Sequence, residues 1–143
     1  MTAAGIAPCF LLDTNVLSEP ARKDPNARLM KRLRAHQTEC VTAAPVWHEL
    51  VFGVTRLRRS KRKRALERYL EQLLLATDVL PYDLHAATWH AQERARLIER
   101  GTPPSFTDGQ IAAIAAVNGL TLVTTNVGHF SCFRELAMED WTR

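Results

Sequence analysis

The chain has little cysteine, no long apolar run and no repeat. Its three cysteines, Cys9, Cys40 and Cys132, lie far apart without a C-x-x-C pair. That spacing indicates neither a disulfide framework nor a thiolate zinc site. Cys9 adjoins an apolar run and is expected to be buried as a small hydrophobe. No apolar stretch approaches the roughly 20 residues of a membrane-spanning helix. No basic segment leads into a long apolar one, so no signal peptide is expected and a cytoplasmic, reducing location fits. Low-complexity tracts and linkers are missing too. At 143 residues, the chain is expected to be a single domain spanning 1–143.

What is present is a globular composition, 46% hydrophobic, which can fill a core. Lys and Arg number 19 against 15 Asp and Glu, a net +4. Mild basicity predicts only a tendency to meet polyanions. Its distribution says more, because Arg56, Arg58, Arg59, Lys61, Arg62, Lys63 and Arg64 fall within nine positions. Such a run can neutralise phosphates and release counterions, although a charge run by itself also describes a solvated helix start.

Phe10-Leu11-Leu12 predicts a buried strand ending at Asp13. Asn15 onward reads as helix interrupted by Pro20 and Pro25. Asn26 is placed to cap a helix through Arg34, with Leu29, Met30 and Leu33 inward. A short strand at Cys40–Ala43 precedes a helix with Pro45 in its first turn. Ser60 caps another, whose inner face is Leu66, Tyr69, Leu70, Leu73 and Leu74. Val79–Tyr82 is an edge strand by virtue of Pro81. Leu84–Arg100 is a long helix stopped by Gly101, and Thr107 is placed to cap a helix from Asp108 to Asn118. Leu120–Thr124 is the clearest strand, while Phe130–Trp141 has no evident period. Strands alternating with helices predict an α/β fold, a central parallel sheet with helices on both faces.

Three carboxylates stand out. Asp13 follows a strand, where functional groups collect in open parallel sheets, although such an Asp also caps helices. Glu49 sits among Trp47, Leu50 and Val51 with Gly53 one turn on. A mid-helix glycine costs about 1 kcal/mol against alanine, which is tolerable where something must approach that face. Asp108 opens an alanine-rich helix, where a carboxylate is favourable in any case; Gly109 beside it would admit a ligand. Converging carboxylates repel unless protonated or joined by a cation. Mg²⁺ and Mn²⁺ take oxygen ligands and retain water, and beside a basic patch that suits metal-assisted phosphodiester hydrolysis.

Four stretches carry a resemblance: Leu11–Glu19 (LLDTNVLSE), Trp47–Gly53 (WHELVFG), Thr107–Ala115 (TDGQIAAIA) and Leu122–Phe130 (LVTTNVGHF). In this order and spacing they resemble a PIN-domain nuclease of the VapC toxin type. The resemblance implies a three-layer α/β/α domain and divalent-metal-dependent cleavage of RNA, leaving 5′-phosphate and 3′-hydroxyl ends. It also implies a homodimer inhibited by an antitoxin protein encoded alongside. Asp13, Glu49 and Asp108 take the places of the family's acidic metal ligands, and Asn15 and Thr124 match its supporting polar positions. Many relatives are acidic at Asn126 or His129; here neither is. Asn126 would offer a neutral oxygen, and one firmly held Mg²⁺ (or Mn²⁺) is expected, a second joining with substrate. Arg56, Arg58, Arg59, Lys61 and Arg62 are the expected RNA-backbone contacts.

The alternative is a non-catalytic module of the same fold that only binds RNA or an antitoxin. A haloacid-dehalogenase-type phosphatase would want a second Asp where Asn15 stands. His48-Glu49 begins like a zinc-protease motif, but Phe52 fills the place of the second histidine. Trp47, Trp89 and Trp141 could stack on bases, with core packing favoured for Trp47 and Trp89 by their apolar neighbours.

Overall fold

Phe10, Leu11 and Leu12 form β1 (Phe10–Leu12), and the last two are almost wholly enclosed. The computed structural model describes residues 5–143. β1 is the middle strand of a five-stranded sheet. On one side lie β2 (Cys40–Ala43) and, at the edge, β3 (Val79–Leu80); on the other lie β4 (Thr121–Val123) and the edge strand β5 (Met138–Glu139). Every pairing is parallel. Parallel strands are covered on both faces, which is why the inner ones read as unbroken apolar runs instead of alternating.

The helices that cover the sheet begin and end where their side chains dictate. Asp13 starts α1 (Thr14–Ser18), and the Asn26 side chain accepts from Leu29 N at the start of α2 (Ala27–His36). Pro45 lies in the first turn of α3 (Ala44–Thr55), and Ser60 caps α4 (Lys61–Ala76) through Lys63 N. Asp83 caps α5 (Leu84–Glu99) through Ala86 N. Gly101, at φ +78°, and Gly119, at φ +65°, end α5 and α6 (Phe106–Val117) in the left-handed conformation that glycine adopts without strain. Ile111 to Ala115 of α6 are all buried, the isoleucines filling the core and the alanines letting neighbouring elements come close. A short α7 (Val127–Phe130) leads to β5.

Several expectations are corrected. Ser105, not Thr107, caps α6: its Oγ accepts from Asp108 N at 3.1 Å. The helix therefore starts at Phe106, close behind Pro103-Pro104, and Asp108 lies inside its first turn. Cys9 is exposed; its backbone bonds to Glu39 and Thr121, but the strand proper begins one residue later. Leu74 is exposed together with Leu75. Amphipathic spacing shows which side of α4 is apolar, not how far the layer beneath it reaches. In the tail, Trp141 is buried and packs edge-on against Phe10 at 5.0 Å. A two-residue strand such as β5 is too short to carry a period. Trp47 and Trp89 pack against the core as expected.

Candidate active site

The chain runs from β1 outward to β2 and β3, then returns to β4 on the opposite side of β1. In open α/β sheets, the crevice at such a reversal, at the carboxyl ends of the strands, is where ligands bind. Here Leu12 pairs with Val123, so the next residues, Asp13 and Thr124, emerge side by side at that crevice. Asp13 N donates to Val123 O at 3.0 Å, which fixes the alignment.

Asp13 is 5% exposed. Its carboxylate accepts from Thr14 N at 2.8 Å, Thr124 Oγ1 at 2.8 Å and Asn15 Nδ2 at 3.2 Å. Asn15 Oδ1 in turn accepts from Thr125 N at 3.0 Å, and Thr124 Oγ1 accepts from Asn126 N at 3.0 Å. The loops after β1 and β4 are thus laced together through one buried carboxylate. Asn15 and Thr124 orient Asp13; the Asn126 side chain itself is exposed, as is His129.

Glu49 comes from α3, one turn after Pro45, and Asp108 from the first turn of α6. Burial pushes the Asp13 carboxyl above its ordinary pKa, and the nearby Asp108 charge adds to this, against the donors from Thr124 and Thr14. Glu49 is raised as well, first by desolvation of its carboxyl and then by the charges of Asp13 and Asp108. Much of the Glu49 side chain is open to solvent, so it is the least enclosed of the three acids. Carboxylates brought this close together want a proton or a cation.

The residues present fit a hydrated divalent ion. The Thr14 hydroxyl lies close enough to Glu49 to favour its charged form. Yet the Thr14 Oγ1 atom is buried without a well-formed hydrogen bond, an orphan that a metal-bound water would satisfy. Among the described residues, no three His, Cys, Asp or Glu side chains are arranged to clasp an ion by themselves. Mg²⁺ does not require that, since it keeps several waters and takes one or two carboxylates.

A family model of the PIN domain matches residues 10–133. The chain belongs to the PIN-domain family. It is 36% identical over 136 residues to Toxin FitB of Neisseria gonorrhoeae, covering 92% of this chain and 98% of FitB. It is 32% identical over 133 residues to the tRNA(fMet)-specific endonuclease VapC of Shigella flexneri, covering 93% of this chain and 98% of VapC. Among solved structures, FitAB bound to an IR36 DNA fragment superposes with a TM-score of 0.84 at 33% identity, covering 94% of this chain and 96% of that one.

Around the carboxylates of this PIN domain, two glycines turn out to be opposites. A Cβ at Gly109 would stand 2.1 Å from Nε2 of His90. That glycine therefore admits α5, not a ligand, which corrects the expectation from sequence. His90 is buried and is held by Tyr82, whose hydroxyl lies 2.8 Å from Nδ1. A Cβ at Gly53, by contrast, meets nothing within 4 Å. Sequence reasoning missed that His90 packs against Gly109 and Phe106 at the start of α6. The available signal was Gly109 itself, wrongly assigned to ligand access.

The basic run lies in the α3–α4 connection and the start of α4. Arg56, Arg58, Arg59, Lys61 and Arg62 are all exposed, and among the described residues none forms a salt bridge. Arg56 sits over the Phe52 ring at 5.2 Å. Lys63 is committed elsewhere, its ammonium donating to the carbonyls of Thr55 at 3.2 Å and Leu57 at 3.0 Å. A cleft of about 360 Å³ joins this region to the site, with both Glu49 and Arg62 in its lining. A larger cleft of about 470 Å³ between α2 and α4 has no carboxylate or imidazole in its lining; it has nothing to offer the chemistry. No helix among the described residues is long and apolar enough to cross a membrane.

Proposed function

We propose that this PIN domain is a divalent-metal-dependent endoribonuclease and the toxin of a toxin–antitoxin pair. The observation that carries the proposal is the buried Asp13, raised in pKa and flanked electrostatically by Asp108 and Glu49, at the sheet's reversal point. Asp13, Glu49 and Asp108 would hold Mg²⁺ or Mn²⁺, with the neutral oxygen of Asn126 completing the set. Bound there, the ion supplies an acidified water and offsets charge on the phosphate oxygens.

The chain's own residues do the rest. Thr124, Thr14 and Asn15 lock the Asp13 carboxylate in one rotamer. Orientation of this kind is what a hydrolytic site needs in order to present its ligand the same way each time. Glu49 is the most exposed of the three acids, so its carboxylate would reach the ion from the solvent side. Arg58, Arg59, Lys61 and Arg62 bind the RNA backbone and set register without reading sequence. Products carry 5′-phosphate and 3′-hydroxyl ends. The relatives support this reading, VapC being named an endonuclease and FitB a toxin. The proposal extends to an antitoxin protein partner, which the likeness to a solved FitAB complex supports, and to a homodimer acting in the cytoplasm.

Sequencing of RNA ends in cells expressing the chain, against an Asp13→Ala control, tests both activity and substrate. Ends that appear only with the unaltered chain are expected. Equal cleavage by Asp13→Ala or Asp108→Ala would reject the assignment.

A further inference from the structure

We infer that the cleft beside Glu49 is a subsite for one nucleobase of the RNA, next to the bond that is cut, kept open by the missing side chain of Gly53. The inference rests on the nuclease reading above and extends it to how substrate is held.

Gly53 lies inside α3 in ordinary helical conformation, not at a left-handed turn. A glycine there costs about 1 kcal/mol relative to alanine. Gly109 offsets that cost by admitting the His90 ring; Gly53 admits nothing from this chain, since an added Cβ would stand in open space. The space it leaves belongs to the cleft of about 360 Å³ whose lining also includes Glu49, one turn earlier on the same helix. That volume falls at the lower end of small-ligand pockets.

The walls say what fits. Leu50 and Val54 of α3 and Leu66 and Leu70 of α4 all belong to its lining, which gives it an alkyl floor suited to the flat face of a base. Arg62 is part of the same lining and sits among exposed cations free of salt bridges. The two Lys63 bonds to the end of α3 pin the connection that carries them. A base in the slot would leave its phosphates between the acidic site, where the reaction occurs, and the guanidinium of Arg62. A polypeptide strand suits the slot poorly, because two helix faces with internally paired backbones offer no edge for strand addition.

The test is fluorescence anisotropy with a labelled single-stranded RNA of mixed sequence, in calcium to keep it uncleaved, and with a single abasic residue moved along it. With the unaltered protein, one abasic position is expected to bind roughly tenfold more weakly, the scale of losing the apolar surface that one base buries against alkyl side chains. Gly53→Leu, checked for an unchanged melting transition, is expected to bind intact RNA about as weakly as the unaltered protein binds that abasic RNA, and to be indifferent to abasic position. No position-dependent loss with the unaltered protein overturns the inference and needs no variant that might misfold. Intact affinity in Gly53→Leu overturns it also. So does loss confined to a protein partner, which would make the occupant a polypeptide. Position-dependent binding with no cleavage in magnesium would instead sink the nuclease reading and leave the subsite standing.

Discussion

Alanine placed at Gly53 and at Gly109 should move stability in opposite directions, though both glycines sit in helices. At either site the substitution gains up to about 1 kcal/mol of helix propensity. At Gly53 nothing opposes that gain, since the new Cβ meets no atom within 4 Å. At Gly109 the Cβ would lie 2.1 Å from His90 Nε2 and 2.6 Å from Cδ2. The ring cannot swing aside cheaply, because Tyr82 holds Nδ1 at 2.8 Å and the Phe106 ring lies 4.7 Å away. Overpacking of this kind costs about 1–3 kcal/mol, and a doubly pinned ring belongs at the upper end. The net is a loss of about 2 kcal/mol, with overpacking outweighing propensity. For a domain of this size a kcal/mol moves Tm by roughly 2–4 °C. Thermal melting of the metal-free protein should therefore show Gly53→Ala up by roughly 2–4 °C and Gly109→Ala down by roughly 4–8 °C. In the His90→Ala background, Gly109→Ala should lose most of its penalty. Equal stabilisation by both alanines would refute the packing argument, as would additive losses in the double variant.

Thr124→Val keeps the shape of a fully buried side chain but removes a donor to Asp13; a loss of about 1–3 kcal/mol is expected, with weaker Mg²⁺ binding by calorimetry. Asp13→Asn should abolish cleavage and the Mg²⁺-dependent rise in Tm. Because the Asp13 pKa is raised in the folded state, its ionisation opposes folding at neutral pH. The metal-free Asp13→Asn protein should consequently gain on the parent as pH rises through that pKa, and the difference should vanish below the ordinary Asp range. Glu93 runs the other way. The Arg96 guanidinium, 2.6 Å away, and Arg134 N, at 2.7 Å, hold its pKa down, so the stability it lends is present at neutral pH and is lost as pH falls through the lowered value; Glu93→Gln should flatten that part of the acid-denaturation curve. Replacing Arg58 or Arg62 with Ala should reduce the slope of RNA affinity against salt by about 1 each.

Much of this molecule was written locally. Phe10-Leu11-Leu12, Cys40–Ala43, the caps Asn26 and Ser60, and the stop at Gly101 appear in the structure where their chemistry placed them. Each depends on residues a few positions apart, so a linear reading suffices. The same holds for the order of the four motifs, which by itself points to the PIN family. The hydrogen bond between Thr124 and Asp13, by contrast, joins residues more than a hundred positions apart and was not legible in the sequence.

Only the tertiary structure decided the rest. Whether a glycine serves a ligand or a neighbouring helix depends on what stands opposite it, and His90 comes from a separate helix. Cys9 and Leu74 have apolar neighbours in sequence yet face solvent, because burial depends on where the covering layer stops. β5 and Trp141 gain their places from the edge of β4 and from Phe10, contacts that a two-residue strand cannot announce by periodicity. Composition and spacing fix what each segment prefers by itself; which segments meet is settled by packing across distances in the chain that no local pattern spans.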